Sequence, residues 1–223
     1  MKQFCQSSLS KVVLFSIGFS VLSGQTLASV DTSKVGYFRT PSINESTLVF
    51  AAEGDLWRVK HNGGATKDEA VRLTTHSAEE LSPMISPDGS KIAFSANYEG
   101  TTEVYLTSLV GGSPKRITFE NSRSMVKGWT ANGDILYATA TTITGPANSW
   151  VLKTVNPSTL VVNNIEVSDA VEGVVDEQGK SIYFVQHGLQ ISTDNANQYK
   201  GGATGELWQF NLDNSKEATK LTE

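Results

Sequence analysis

The chain has 223 residues, 39% of them hydrophobic and 18% charged, with a formal net charge of −5. That balance supports a folded core and excludes a disordered chain. The charge is acidic and forms no basic cluster, which argues against a nucleic-acid partner and favours simple solubility.

The first 28 residues carry only two charged side chains, Lys2 and Lys11, both basic. Val12 to Leu22 is an apolar run, and Thr26-Leu27-Ala28 places small residues at the −3 and −1 positions of a cleavage point. This pattern predicts a signal peptide over 1–28, cut after Ala28. The run is shorter than the roughly 20 residues that a spanning helix needs; the alternative is an uncleaved anchor. Without Lys2 and Lys11 there are 16 basic side chains against 23 acidic ones, a net charge of −7. The expected location is therefore exported and periplasmic, with no membrane span after signal cleavage. Cys5 is the only cysteine and precedes the apolar run. The mature chain would then hold no disulfide and no lipid-bearing cysteine.

Residues 29–35 read as a short leader, and strand-like sequence begins at Gly36-Tyr37-Phe38. From there one unit lies over itself. Its first landmark is a turn followed by an apolar run ending on an aromatic: Asn44 to Phe50, Asp88 to Phe94, Asn132 to Tyr137 and Gln178 to Phe184. The four aromatics are 44, 43 and 47 residues apart. The second landmark is a polar residue opening a strand with an aromatic soon after: Asp55-Leu56-Trp57, Glu103-Val104-Tyr105, Ser149-Trp150-Val151 and Glu206-Leu207-Trp208. The third is an aliphatic–threonine edge, Leu73-Thr74, Ile117-Thr118 and Leu221-Thr222, each preceded by Arg or Lys. In the third unit Ile165-Glu166-Val167 stands in its place.

Four units of about 45 residues, each with about four short strands, predict an all-β fold made of β-propeller blades over 36–223. Ile92-Ala93-Phe94 and Val104-Tyr105-Leu106 put apolar side chains on both faces of a strand. A lone sheet could not bury both, whereas blades stacked face to face do. A β-sandwich is the alternative, but it requires no fixed repeat. From Gln186 to Ala203 the chain is polar and Gly/Asn-rich, which predicts a loop inserted between two strands of the fourth blade; it reads equally as a functional element or a tolerated surface insertion. The chain stops at Lys220-Leu221-Thr222-Glu223, where another unit is due, so the expectation is an incomplete propeller cut from something longer.

No catalytic, cofactor-binding or metal-binding residue is assigned. His61, His76 and His187 sit in polar sequence without metal-ligand spacing, and read as solvated surface histidines. No G-x-S-x-G elbow is present. Gly111-Gly112-Ser113-Pro114 is a hairpin turn, and Gly201-Gly202 lacks the context of a phosphate loop. A cation site on Glu79, Glu80 and Asp88 is less suitable than the plain alternative: Asp88 serves its turn and Glu79-Glu80 are solvent-exposed. Trp57, Trp150 and Trp208 fall on the repeat and read as blade core rather than a stacking surface. Trp129 has a less clear period and could face a pore. Asn44-Glu45-Ser46 is a formal glycosylation sequon, relevant only in a eukaryotic secretory pathway.

Ser86-Pro87-Asp88-Gly89-Ser90-Lys91-Ile92-Ala93-Phe94-Ser95 resembles the propeller repeats of TolB and of the tricorn proteases. Gly54-Asp55-Leu56-Trp57, Tyr98-Glu99-Gly100, Glu103-Val104-Tyr105 and Gly111-Gly112-Ser113-Pro114-Lys115-Arg116-Ile117-Thr118 follow, in order, the opening of bacterial tricorn protease homologues. Lys127-Gly128-Trp129 and Tyr199-Lys200-Gly201-Gly202 with Leu207-Trp208 are similar to that family too. TolB also carries an α/β domain between signal and propeller, for which there is no room here. The resemblance implies about four blades of a six-bladed first propeller. It also implies a serine peptidase with a second propeller, a PDZ-like domain and a catalytic core, whose Ser, His and Glu lie beyond residue 223. No residue here takes those roles. The chain is then a non-catalytic segment serving substrate access or assembly, its partners peptide substrates met through the rest of the protease, or a further copy of itself. The alternatives are a stand-alone TolB-like propeller binding envelope proteins, and a truncated product that folds poorly.

An incomplete ring exposes a blade face and strand edges, surfaces that aggregate. Residues 29–223 alone are expected to self-associate or melt over a broad range. A monomer in analytical ultracentrifugation with one sharp calorimetric transition would contradict this.

Overall fold

The computed structural model describes residues 36–61, 68–141, 149–186, 205–213 and 217–222. The signal peptide and leader over 1–35, His187, Gly201-Gly202, Tyr199-Lys200 and nearly all of the insertion that starts at Gln186 lie outside the described residues.

The described residues form four separate four-stranded antiparallel sheets, each a simple meander. The first holds β1 (Phe38–Asn44), β2 (Thr47–Ala52), β3 (Asp55–Lys60) and β4 (Val71–Arg72). The second holds β5 (Glu80–Ile85), β6 (Lys91–Ala96), β7 (Glu103–Ser108) and β8 (Lys115–Arg116). The third is β9 (Ser124–Trp129), β10 (Ile135–Thr141), β11 (Ser149–Val155) and β12 (Val162–Asn164). The fourth is β13 (Ala170–Val175), β14 (Ser181–Gln186), β15 (Glu206–Asn211) and β16 (Thr219–Lys220). This is the blade pattern expected from the repeat, not a sandwich of two sheets.

The blades are joined by their faces. On β6, Ile92 and Phe94 turn toward the first blade, where they meet Val49, Ala51 and Leu56. Ala93, between them, turns the other way and packs with Val126, Ile135 and Tyr137 of the third blade. The third and fourth blades share a core of Leu136, Ala138, Leu152, Ile182 and Phe184. Period-2 alternation with both phases apolar therefore means a strand packed on both sides.

The first strands β1, β5, β9 and β13 neighbour one another across the junctions, while the fourth strands are two or three residues long and largely exposed. Each first strand is thus inner and each fourth strand outer. Every first strand carries a register shift: at Arg39/Ser42, at Leu81/Met84, opposite Leu136/Tyr137 and at Ala170/Glu172. In β1 and β5 the shift holds Thr40-Pro41 and Ser82-Pro83, with φ of 45° at Thr40 and 51° at Ser82. Proline is tolerated there because the strand is an edge and the bulge interrupts its ladder.

The turns from first to second strand repeat as the sequence suggested. The Gly89, Gly133 and Gly179 N–H groups donate to the carbonyls of Ser86, Thr130 and Asp176. All three glycines have positive φ, which a side chain rarely adopts. Asp88 accepts from the Ser86 hydroxyl at 2.5 Å, the Ser90 hydroxyl at 2.7 Å and the Ser90 N–H at 3.1 Å. These bonds hold its carboxyl down at about 2. Asp88 serves its turn, as expected.

The aliphatic–threonine edge closes the outer side. Leu73, Ile117, Ile165 and Leu221 each donate their N–H to the third strand, at Leu56, Val104, Leu152 and Leu207. Ile165 therefore does occupy this place in the third blade. The Leu56, Val104 and Leu207 N–H groups in turn donate to the hydroxyls of Thr74, Thr118 and Thr222. An acid opening the third strand meets a base two residues before that threonine: Asp55 with Arg72, Glu103 with Arg116, Glu206 with Lys220. In the second blade Arg116 also donates to the Thr118 carbonyl, and Thr118 Oγ1 donates to Glu103 at 2.6 Å.

One register assignment needs correction. In the third blade Leu152, not Trp150, stands level with Leu56, Val104 and Leu207, and Tyr137 pairs with Lys153 where the other blades pair two aromatics. Ser149-Trp150-Val151 is displaced by two residues because β11 starts early, opposite Thr141. The aromatic position is filled by Lys153, which together with the Tyr137 hydroxyl binds Glu120.

The Glu103 side chain is fully buried, whereas that of Glu206 is 41% exposed. Arg116→Ala should destabilise by about 3–5 kcal/mol, the cost of stranding a buried charge. Lys220→Ala should cost less than about 1 kcal/mol, as for an exposed pair. Equal losses in urea denaturation would refute the difference in burial.

Candidate functional site

Two buried carboxylates, Asp55 and Glu80, meet at the junction of the first and second blades. Their meeting arises from the length of one side chain. Asp55 is a methylene shorter than Glu103, its counterpart, and spends Oδ2 on Arg72; Oδ1 is buried without a partner. Thr74 therefore lacks the carboxylate that Thr118 has in its own blade. Glu80 of the second blade supplies it: Glu80 Oε2 accepts from the Thr74 hydroxyl and from the Leu56 N–H, and Oε1 accepts from the Tyr98 hydroxyl. The Glu80 N–H donates to the Gly54 carbonyl at 3.0 Å. Glu80 thus ties two blades together by backbone and side chain.

Glu80 is fully buried, which corrects the expectation that Glu79-Glu80 are both solvated. Glu79 is exposed and pairs with Arg39 of the first blade. Burial raises the Glu80 carboxyl above its ordinary value; the bonds from Thr74, Tyr98 and Leu56 oppose the rise and nearby Asp55 adds to it. Burial and the Glu80 carboxylate likewise raise the Tyr98 phenol. Tyr98 lies between the His76 ring, at 4.0 Å, and the Tyr105 ring, at 4.6 Å. Thr74, His76, Glu80 and Tyr98 line a cavity of about 270 Å³ together with Gly112-Ser113-Pro114.

The cluster was not legible in the chain. Glu80 pairs with Ala96, two residues beyond the aromatic; Ser124 and Ala170 hold the same place against Thr139 and Gln186. All three are fully buried. A small residue at that place in the third and fourth blades and a glutamate in the second is the signal that could have singled it out.

The other candidates are dispersed. His76 is exposed and its Nδ1 accepts from the Ala78 N–H; His61 is half-buried rather than fully solvated. The Trp129 indole donates to the Met84 carbonyl at 2.9 Å and packs in the junction of the second and third blades. Trp57 donates to the Ala52 carbonyl and packs beside Phe50 and Val59. Trp150 and Trp208 pack against the core of the third and fourth blades. The Asn44 amide is committed to the carbonyls of Ser86 and Pro87. Among the described residues no group of three or more His, Cys, Asp and Glu could hold a metal ion, and no helix is long and apolar enough to cross a membrane.

The family model described as the tricorn protease N-terminal beta propeller domain matches residues 35–223. Tricorn protease homolog 1 of Streptomyces coelicolor is 29% identical over 175 residues, 77% of this chain and 16% of that protein. The tricorn-like protease N-terminal subunit of Sulfurisphaera tokodaii is 31% identical over 110 residues, 47% of this chain and 53% of that protein. The chain therefore spans between about one sixth and one half of these relatives. Among solved structures, the tricorn protease superposes with a TM-score of 0.65 at 18% identity, over 84% of this chain and 18% of that one. TolB from Acinetobacter baumannii gives 0.63 at 16% identity, over 84% and 44%. At those identities the likeness concerns the fold.

A carboxyl raised on folding stabilises the fold below its ordinary value, and that contribution fades as pH rises through the folded value. Glu80→Gln removes the buried charge, so its melting temperature should gain on that of the unaltered protein between pH 4 and pH 7. Glu80→Ala should lose about 1–3 kcal/mol at any pH, because it strands Thr74 and Tyr98. Parallel pH profiles for Glu80→Gln and the unaltered protein would rule out a Glu80 carboxyl raised by folding.

Proposed function

Since this chain belongs to the tricorn protease N-terminal β-propeller family, we propose that it is the N-terminal propeller segment of an exported tricorn-type serine protease. The observation that carries this is the family match over 35–223, the same span that holds all four described blades. The segment is itself non-catalytic and serves substrate access or assembly, in a propeller of six blades. The nucleophile, its base and the PDZ-like domain come from outside these residues, in the same polypeptide or in a separate one. The name of the Sulfurisphaera relative, an N-terminal subunit, supports the second arrangement for that protein. Peptides are the substrates, and further copies of the assembly are the fitting partners.

Export rests on Lys2, Lys11, the apolar run Val12 to Leu22 and the small residues before Ser29. The mature protein in the periplasm should begin at Ser29.

The first test purifies the natural protein from its own cells under native conditions. The expected result is a serine peptidase core, fused or associated, that hydrolyses peptides and reacts with a fluorophosphonate, while this chain takes no label. Recovery of envelope proteins without any peptidase would instead support a TolB-like binding propeller. Edman sequencing that begins at Met1 in a cytoplasmic fraction would defeat the export proposal.

A further inference from the structure

The junction of the third and fourth blades holds a cavity of about 350 Å³. It corresponds to the cavity beside Glu80 and Tyr98, since both open between the segment after one blade's fourth strand and the next blade. The chemistry differs. Beside the first blade, the buried carboxylate of Glu80 is saturated by Thr74, Tyr98 and the Leu56 N–H. Here two carboxylates, Glu166 and Glu217, line the cavity. Both are exposed, and neither has an ion-pair partner among the described residues. The wall is aromatic, made by Phe184, Trp208 and Phe210. Phe184 and Phe210 belong to the core and are fixed there.

Trp208 adds a second observation. Trp57 and Trp129 anchor their indole N–H groups on carbonyls, but that of Trp208 is hidden from solvent and has no acceptor. An unpaired buried donor costs free energy and calls for an explanation.

We propose that this cavity binds a lysine or arginine side chain presented by an extended peptide. Such a side chain is an apolar stem ending in a cation. The stem fits against Val167, Ala218 and the phenylalanine rings, and the cation fits the carboxylates of Glu166 and Glu217 and the π face of Trp208. The volume lies within the range of small-ligand sites. The peptide as carrier rests on the function proposed above; the recognition of the cation does not.

The test titrates the full chain with N-acetyl-arginine amide, N-acetyl-lysine amide and the neutral N-acetyl-norleucine amide, then with a pentapeptide containing one central arginine and its norleucine counterpart. Binding is read by calorimetry and indole fluorescence. Saturable binding of both cationic amides and of the arginine peptide is expected, at least tenfold tighter than the norleucine compounds. The double variant Glu166→Gln/Glu217→Gln should weaken it at least tenfold with an unchanged melting temperature, since both side chains are exposed. Trp208→Phe should abolish the fluorescence change. Absence of saturable binding, equal affinity for the norleucine compounds, or indifference to the double carboxamide variant would overturn the proposal. These readouts need no peptidase, so failure here leaves the purification result standing, and the reverse.

Discussion

A blade of this protein cannot bury itself. Its middle strands carry apolar side chains in both phases, so each sheet has two faces to cover and only its neighbours can cover them. Ile92 and Phe94 need the first blade, and Ala93 between them needs the third. The fourth blade displays the consequence: Leu207 is 38% exposed, while Leu56, Val104 and Leu152 at the same place are fully buried by a following blade. The stacking of sheets is the constraint that the other features accommodate. It fixes which strands are inner and it forces the outer strands to be short. Buried polar groups at a junction find partners within one or two side chains or, like Asp55 Oδ1 and the Trp208 indole N–H, go without.

The outer clasp shows how narrow that tolerance is. Glutamate, threonine and arginine close the second blade as a self-contained set, Glu103 with Thr118 and Arg116. Replacing glutamate by aspartate in the first blade shortens the reach by one methylene, and the set is completed from the next blade by Glu80. The side chain at that place, small in the third and fourth blades, is here a buried carboxylate held by three groups in two blades. Burying an ionised group is unfavourable unless its hydrogen bonds are made, which is why Tyr98 and Thr74 both turn to it.

The junctions are thus not equivalent despite the repeat. One is filled with a saturated polar cluster. Another keeps open carboxylates against an aromatic wall. A repetitive scaffold can differentiate its junctions without altering its sheets: Asp55 and Glu80 set one apart, Glu166 and Glu217 another.

The sequence by itself determined the blade count of the described region, the four short strands to a blade and the aromatic positions of the second strands. These are set by local turn chemistry and by a period of about 45 residues, both of which are written along the chain. It also placed Ile165 correctly, because an aliphatic edge is recognisable without its threonine. It did not place Trp150, since β10 and β11 stay paired for two residues past the place where the second and third strands of the other blades part, and a strand's start is fixed by its partner's register, not by its own composition. It did not expose Glu80 as buried or Trp129 as a junction residue, because a glutamate pair and an isolated tryptophan read the same on a surface and in a core. Only the tertiary structure decided those: burial belongs to the second blade's position against the first, and a sequence carries no record of which face a neighbour will cover.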